Sequence, residues 1–230
     1  MILPLPPGQR EIGDFPRFGL PQFAARFPSQ LDSRTLKVTG LVANELSLDD
    51  PFHQLPRVEQ TSDFHCVTTW SRRTLRWGGV RFADFFEQIL QPQARPDAAA
   101  TLVAFHGQDG ARTAMLLEDL LFPDVLLVDM FDGLPLSIDH GAPLRLIAPQ
   151  HYGYKSVKHL ASIEFRMPSS GYRLSAFTFM DHPRARVAYE ERGRYFPGWF
   201  LRYTYRPLVR LTIALFRRKS LEHRAKSVGG

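Results

Sequence analysis

The chain is organised around one short run, Asp63-Phe64-His65-Cys66-Val67-Thr68-Thr69-Trp70-Ser71. Its residues are β-prone and alternate in character, which predicts a strand with Phe64, Cys66 and Thr68 on one side. Cys66 is the only cysteine in the 230 residues. A lone cysteine cannot form an internal disulfide, so it is either a small buried hydrophobe or a reactive or metal-binding thiolate.

Composition excludes several classes of protein. Hydrophobic residues make up 44% of the chain and charged residues 23%, as in globular proteins with a sizeable core. The 18 prolines and 16 glycines favour turns and β structure over a helix bundle, and one cysteine excludes a disulfide framework or an all-cysteine zinc site. Residues 1–7 lack the basic region of a secretory signal, and no apolar run approaches the roughly 20 residues of a membrane span. We therefore expect a soluble, cytoplasmic protein.

The net charge of +6 is unevenly distributed along the chain. Residues 182–230 carry 12 Lys and Arg against three Glu, whereas the remainder carries 17 basic against 20 acidic residues. A nucleic-acid-binding core would need basic residues on its folded face, so we expect no nucleic-acid partner.

Hydrophobic patterns predict an α+β fold with mixed β-sheets and short helices. Strands are predicted at 34–41, 101–106, 111–116, 125–128, 143–148 and 162–165, and helices at 46–52, 82–90 (ending before Pro92) and 117–122, with a turn at 77–79 and a helical turn at 157–160. We expect one domain over 1–166, whose residues 1–33 form an extended arm, and a basic aromatic C-terminal extension over 167–230 that packs on it.

The extension contains a helical pattern from Trp199 to Phe216. Arg202, Arg206 and Arg210 recur every four residues and so share a helical face, while Pro207 predicts a bend. The helix either packs on the domain with a solvated arginine stripe, or contacts an anionic membrane surface or an acidic partner.

Basic residues stand in two places that indicate an anion site. Arg145 lies inside the apolar run 143–148, and a buried arginine needs an anionic partner. The segment 151–159 combines a glycine turn, a hydroxyl and two lysines, which suits a phosphate; the alternative is a solvated basic loop. A thiolate and a basic cradle together fit a metal held by a phosphorylated organic cofactor, although their spacing does not name that cofactor.

Several ordered motifs resemble those of a known family. Cys66-Val67-Thr68-Thr69-Trp70-Ser71 resembles C-V-x-x-W-S around a molybdenum-ligating cysteine, and His140-Gly141-Ala142-Pro143-Leu144-Arg145 resembles the pterin-holding H-G-x-P-x-R. Gly153-Tyr154-Lys155-Ser156-Val157-Lys158 resembles the pterin-phosphate loop G-F-K-S-I-K, and Phe105-His106-Gly107-Gln108-Asp109 resembles F-E-G-x-D. Phe15-Pro16-Arg17-Phe18-Gly19-Leu20-Pro21 is similar to the F-x-R-N-H-L-P arm, with Asn and His replaced. On these motifs, residues 15–166 resemble the molybdopterin-binding domain of the sulfite oxidase family, which includes the bacterial protein-methionine-sulfoxide reductase catalytic subunits.

The resemblance implies a sulfite-oxidase-type fold and molybdenum with molybdopterin as cofactor. The residues left outside the match are too few for a haem-binding module, so we expect no haem. It implies that Cys66 is the metal ligand. The implied cofactor-binding residues are Arg17, Cys66, Asp109, His140, Arg145, Ser156, Val157 and Lys158. The implied catalytic residues are Cys66, Arg17 and Asp129. His65 is expected to be structural, because strand alternation points it away from Cys66.

Two departures from the family bear on the reaction. The G-N-R-R run that binds the oxyanion in sulfite oxidases is replaced, with Arg72 and Arg73 only nearby, and Asp129 stands where those enzymes have a catalytic tyrosine. An inward-pointing carboxylate would repel sulfite. We expect an oxidoreductase that transfers an oxygen atom to or from a small sulfoxide or sulfite-like substrate and exchanges electrons with a separate partner.

Two other functions remain open. A cofactor-free binding or adaptor protein could use the same fold and act through its basic tail. A thiol-dependent enzyme would need a general base near Cys66, and His65, though adjacent, should point away.

Overall fold

The computed structural model describes residues 4–28, 34–168 and 180–228. The predicted arm and extension are therefore described only in part, since residues 1–3, 29–33, 169–179 and 229–230 lie outside these ranges. The strands are β1 (Arg10–Glu11), β2 (Leu36–Gly40), β3 (Leu46–Leu48), β4 (Val58–His65), β5 (Trp70–Arg81), β6 (Leu102–Gly107), β7 (Arg112–Leu116), β8 (Leu126–Phe131), β9 (Leu134–Pro135), β10 (Arg145–Ile147) and β11 (Leu160–Arg166). The helices are α1 (Phe82–Phe85), which continues as a π-helix over Phe86–Ala94, α2 (Leu117–Leu120), α3 (Gly198–Tyr205) and α4 (Leu208–Val228), with 3₁₀ turns at Pro21–Phe23, Ile138–His140 and Gly153–Lys155.

The strands form two sheets. One has the order β1-β5-β8-β10, with β4 pairing β5 and β9 pairing β8. The other has the order β3-β2-β11-β6-β7, in which β11 runs parallel to β2 and antiparallel to β6. Both sheets therefore contain parallel and antiparallel pairs, in agreement with the predicted mixed β-sheets.

The core lies on both faces of the first sheet. Along β8, Leu127 packs into the large cluster that also contains Phe82 and Phe165, whereas Leu126 and Val128 pack with Trp77 on the opposite side. Successive side chains of a strand point to opposite faces, so this division follows from the pleat. A sheet buried on both faces can hold a charged side chain away from water, which matters for Arg145 on β10.

The structure corrects the predicted position of Cys66. β4 ends at His65 and β5 begins at Trp70, so Cys66 lies in a hairpin turn rather than on a strand. The Cys66 N–H donates to the Trp70 carbonyl at 2.8 Å, the Thr69 N–H donates to the Cys66 carbonyl at 3.1 Å, and Thr69 has a φ of 86°. The β-prone composition of this run continues through the turn, and composition alone does not reveal the reversal.

Four further local predictions are wrong. The predicted helix at 46–52 contains strand β3, and the helical turn occurs at Gly153–Lys155 rather than at 157–160. The predicted turn at 77–79 lies inside β5, where a Cβ on Gly79 would sit 2.1 Å from a backbone carbonyl oxygen of β8. Glycine is needed here for the close approach of two strands. The predicted stop before Pro92 is absent because the helix widens to the π register and runs on to Ala94.

The extension ends in two helices. α3 and α4 are separated at Arg206 and Pro207, where the bend was predicted. Leu201, Tyr205 and Phe216 are buried and anchor the two helices. Among the described residues, no helix is long and apolar enough to cross a membrane.

Candidate functional site

One cavity that opens to solvent brings most of the predicted site residues together. Its walls come from the N-terminal arm, the turn between β4 and β5, the turn between β6 and β7, the segment before β11, and the extension. The predicted residues that line it are Arg17, Cys66, Asp109, Arg145, Ser156, Val157 and Lys158. The resemblance motifs, far apart in sequence, thus meet in one cavity.

Cys66 is held in this cavity as a buried thiol. Its Sγ lies 3.2 Å from the Thr68 Oγ1. Burial raises the pKa of the thiol, against the Thr68 hydrogen bond and the positive charges of Arg192 and Lys158. Burial disfavours a free thiolate, and a bound metal cation would reverse that preference because a coordinating thiol is deprotonated.

Arg145 is a fully buried cation at the cavity wall. Its guanidinium donates to the carbonyls of His140 at 2.7 Å and Ser156 at 3.4 Å and lies 5.1 Å from the centroid of the Trp77 ring. Its Nε has no hydrogen-bond partner, and no carboxylate of the described residues pairs with it. Burial lowers the pKa of Arg145 to about 9. A buried, unpaired guanidinium is costly unless an anionic ligand completes its environment.

Lys158 adds a second cation beside Arg145. Its Nζ donates to the Asp139 carbonyl at 2.9 Å. Burial, together with the charges of Arg145 and Arg17, lowers the pKa of Lys158 to about 7. A lysine whose pKa is lowered by neighbouring arginines belongs to a cluster of cations, which suits an anion of multiple charge such as a phosphate monoester.

The other polar residues of the cavity are tied to the backbone. The Ser156 Oγ accepts from the Ala148 N–H at 3.1 Å, and the Asp109 carboxylate accepts from the Ala111 N–H at 3.0 Å. Burial raises the pKa of Asp109, although the positive charges of Lys158 and Arg17 oppose this shift. Val157 is buried among these groups. The loop thus offers a hydroxyl and rigid backbone to a ligand.

Arg17 lines the cavity, but its guanidinium is used locally. It donates to the carbonyls of Phe23, Ala24 and Arg26 at 3.2, 2.7 and 2.7 Å. It also lies over the Phe216 ring at 5.1 Å. Arg17 therefore fixes the fold of the arm against α4 and contributes positive charge to the cavity.

The predicted pterin contact His140 does not line the cavity among the described residues. Its ring stacks on Phe15 at 5.1 Å and packs on Phe131 at 4.8 Å. Burial and the charges of Lys158 and Arg145 lower the pKa of His140 to about 4, so the ring is neutral. Its buried Nδ1 has no partner in the described part of the chain, while its carbonyl orients Arg145.

The predicted catalytic carboxylate Asp129 is also outside the described cavity lining. It forms ion pairs with Arg34 at 2.8 Å and with Arg57 at 2.6 Å. These two arginines, both far from Asp129 in sequence, hold its carboxylate outside the described lining. The expected repulsion of sulfite by Asp129 therefore has no basis in the structure.

His65 holds the turn that carries Cys66 in place and is not positioned to take the proton of the Cys66 thiol. Its Nδ1 lies 2.8 Å from the Ser71 Oγ, which donates to the Gln9 Oε1 at 3.0 Å. The Gln9 amide in turn donates to the Cys66 carbonyl at 3.1 Å. This chain of hydrogen bonds fits the structural role predicted for His65. The hypothesis of a thiol-dependent enzyme needs a general base beside Cys66, and His65 does not supply it.

The sequence patterns missed Arg192, a fully buried residue of the extension. Its guanidinium donates to the Val67 carbonyl at 2.6 Å and the Pro7 carbonyl at 2.9 Å, and pairs with Glu190 at 3.1 Å. It therefore ties the cysteine turn to the arm and to the extension. Met180, Asp181 and Phe216 of the extension also line the cavity. No local motif marks these residues, because they reach the site only through the tertiary fold.

We expect Lys158 to make anion binding depend on pH. Sulfate, whose charge is constant between pH 6 and 9, should bind the cofactor-free protein most tightly below about pH 7, where Lys158 is protonated. Because the unfolded chain keeps its lysine protonated to higher pH, stability without ligand should rise as pH increases from about 7. Calorimetric titration at several pH values measures the first effect and thermal unfolding the second.

Lys158→Met should flatten both pH profiles, whereas Lys37→Met, at an exposed position on β2, should leave them unchanged. A sulfate affinity in Lys158→Met that retains the wild-type dependence on pH would show that another group titrates.

The chain matches a known family over most of this region. Residues 24–172 match the oxidoreductase molybdopterin binding domain. The chain is 35% identical over 162 residues to the uncharacterized oxidoreductase YuiH of Bacillus subtilis (strain 168), covering 70% of this chain and 78% of that protein. It is 30% identical over 183 residues to the protein-methionine-sulfoxide reductase catalytic subunit MsrP of Xanthomonas axonopodis pv. citri (strain 306), covering 67% of this chain and 55% of that protein.

A solved structure supports the same fold. The crystal structure of the sulfane dehydrogenase SoxCD from Paracoccus pantotrophus aligns with a TM-score of 0.54 and 20% identity, covering 70% of this chain and 46% of that chain. The predicted sulfite-oxidase-type fold is thereby confirmed. The chain spans about half the length of MsrP and of the SoxCD chain. It is a member of the family of oxidoreductases that share the molybdopterin-binding domain.

Proposed function

We propose that the chain is a molybdenum-dependent oxidoreductase that removes the oxygen atom from a small, neutral sulfoxide, with Cys66 as the metal ligand. The observation that carries the proposal is the placement of the Cys66 thiol and the unpaired, buried Arg145 in one cavity. A thiol that can ligate a metal as its thiolate and an arginine that lacks an anion fit a metal held by a pterin phosphate cofactor.

Arg145, Lys158 and Ser156 would hold the phosphate and pterin, and Cys66 would supply the protein thiolate. When bound, the molybdenum cofactor supplies the two-electron redox chemistry of oxygen-atom transfer. The overall reaction consumes one sulfoxide, two electrons and two protons and yields one thioether and one water. The two electrons would come from a separate electron-transfer protein, since the sequence shows no second redox motif.

The chain's own residues would orient the substrate and exclude water. The side chains of Phe18, Trp70 and Phe216 line the same cavity as Cys66, and Phe18 packs on the other two rings at 5.5 and 6.3 Å. An apolar wall of this kind favours a neutral, partly apolar substrate and strengthens the electrostatic interactions inside the cavity.

The arginines nearest to Cys66 in sequence lie outside the described lining of the cavity, which argues against sulfite. Arg73 on β5 pairs with Glu11 at 3.3 Å. Neither Arg72 nor Arg73 is among the described residues that line the cavity. The cations in the described lining are Arg17, Arg112, Arg145 and Lys158, and a doubly charged substrate would compete with the cofactor phosphate for them.

The test is to produce the protein with molybdate in a host that makes the cofactor, and to measure bound molybdenum and released pterin. The loaded protein should then oxidise a reduced viologen when methionine sulfoxide is added, and should not reduce ferricyanide when sulfite is added. Faster turnover of sulfite would overturn the substrate assignment. Absence of molybdenum and pterin would overturn the enzyme assignment and leave the cofactor-free adaptor.

A further inference from the structure

A dense group of exposed apolar side chains lies on the C-terminal extension. Seven of the fourteen large hydrophobic side chains that are exposed among the described residues fall between positions 195 and 211. These seven form what we call the aromatic ridge: Tyr195, Phe196, Trp199, Phe200, Tyr203, Leu208 and Leu211. Exposed hydrophobic residues scattered singly are ordinary, but a concentration of this kind marks an interaction surface.

Three residues of the ridge, Trp199, Phe200 and Tyr203, lie on the outer side of α3, and Leu208 and Leu211 lie in the first turn of α4. Trp199 and Tyr203, one turn apart, are 57% and 62% exposed, whereas Leu201 and Tyr205 on the other side are 3% and 4% exposed. The ring of Phe200 packs edge-on against Trp199 with centroids 6.1 Å apart. The helix is thus anchored to the protein by one side and presents preassembled aromatic rings on the other.

The ridge lies in a stretch that carries only positive charge. Residues 192–221 contain no Asp or Glu. The guanidinium of Arg206 lies 6.0 Å from the centroid of the Tyr203 ring. Within the described part of the chain, neither Arg206 nor Arg210 forms an ion pair, although Arg202 pairs with Glu190. Two arginines without a carboxylate partner therefore accompany the exposed rings.

We infer that the aromatic ridge docks on an anionic lipid surface, with α3 and the start of α4 lying along the membrane plane. Tryptophan and tyrosine rings prefer the headgroup region of a bilayer, and arginines beside them reach lipid phosphates. A surface that binds a protein partner usually carries positive and negative groups that complement those of the partner. A uniformly positive stretch instead fits a uniformly anionic surface. Such docking would be independent of the chemistry at Cys66.

Trp199 is a natural reporter for this docking. It is 57% exposed, whereas Trp70 and Trp77 are 2% and 0% exposed. The full chain should co-sediment with vesicles of phosphatidylglycerol and phosphatidylcholine, with a blue shift of Trp199 emission, and should not bind vesicles of phosphatidylcholine alone. Salt should release it. Arg206→Gln and Arg210→Gln should each weaken partitioning about five-fold, the factor for one cation near an anionic surface.

A double variant, Trp199→Ser with Tyr203→Ser, should lose vesicle binding while circular dichroism shows an unchanged helix content. The control is Leu134→Ser, which removes a 68% exposed apolar side chain on β9 and should bind as the wild type does. Failure of the wild type to bind anionic vesicles at low salt would overturn the inference, as would equal binding of the double variant. A blue shift caused by self-association without vesicles would assign the ridge to a second copy of the chain instead.

Discussion

Cys66→Ala is expected to lower sulfoxide reduction by more than about 100-fold, which exceeds the loss usually seen when a residue that only supports a metal ligand is removed. The variant should keep its pterin, because Arg145, Lys158 and Ser156 are untouched. Its molybdenum content or electron paramagnetic resonance spectrum should change, because one ligand atom is lost. The fold should remain, since removing one small buried side chain typically costs on the order of 1 kcal/mol.

The matched control is Thr68→Val, which removes the hydroxyl 3.2 Å from the thiol and keeps the ligand atom. It should retain the molybdenum spectrum with a smaller change in rate. If Cys66 were only a buried hydrophobe, Cys66→Ala would retain the wild-type spectrum and activity, and the assignment of Cys66 as metal ligand would fall.

The sequence patterns predicted the residues that line the cavity better than the backbone around them. Arg145 could be found because a charged residue inside an apolar strand is conspicuous by composition alone. The turn at Cys66 could not be found, because its residues keep a β-prone composition while a positive φ at Thr69 reverses the chain. Only the hydrogen bonds across the turn, which join residues of two strands, define it.

Long-range contacts account for the remaining differences. Asp129 occupies the position of a catalytic residue in the resembling family, yet its carboxylate is taken up by Arg34 and Arg57, which lie far away in sequence. Arg192 stands in a segment without any family motif, yet it holds the Val67 carbonyl next to the cysteine. A motif predicts which residue types meet a ligand, whereas the direction of each side chain depends on strand register and on partners that no local pattern contains.

Arg145→Met is expected to have opposite effects on the protein with and without its cofactor. With cofactor, losing the guanidinium should weaken pterin binding by about 2–5 kcal/mol, roughly 30-fold or more, as for one partner of a buried charge pair. Without cofactor, the wild type holds a buried charge whose pKa is lowered from 12.5 to about 9. Such a shift corresponds to a cost on the order of 5 kcal/mol. The variant also leaves two carbonyls without this donor, but the contact with His140 is only partly buried and that with Ser156 is long at 3.4 Å. Their combined loss should stay near the roughly 1–3 kcal/mol of one fully buried carbonyl, so the empty variant should be at least as stable as the empty wild type.

Arg192→Met is the control that separates a ligand role from a packing role. Arg192 is equally buried, but it already has an anionic partner in Glu190, so its loss should destabilise the empty protein by about 3–5 kcal/mol. Urea unfolding of both cofactor-free variants, together with pterin content after production with molybdate, measures the contrast. If Arg145→Met destabilised the empty protein as Arg192→Met should, Arg145 would be a structural residue satisfied by its carbonyl partners. If the empty variant kept its stability and lost its pterin, the buried arginine is maintained for the anion that it binds.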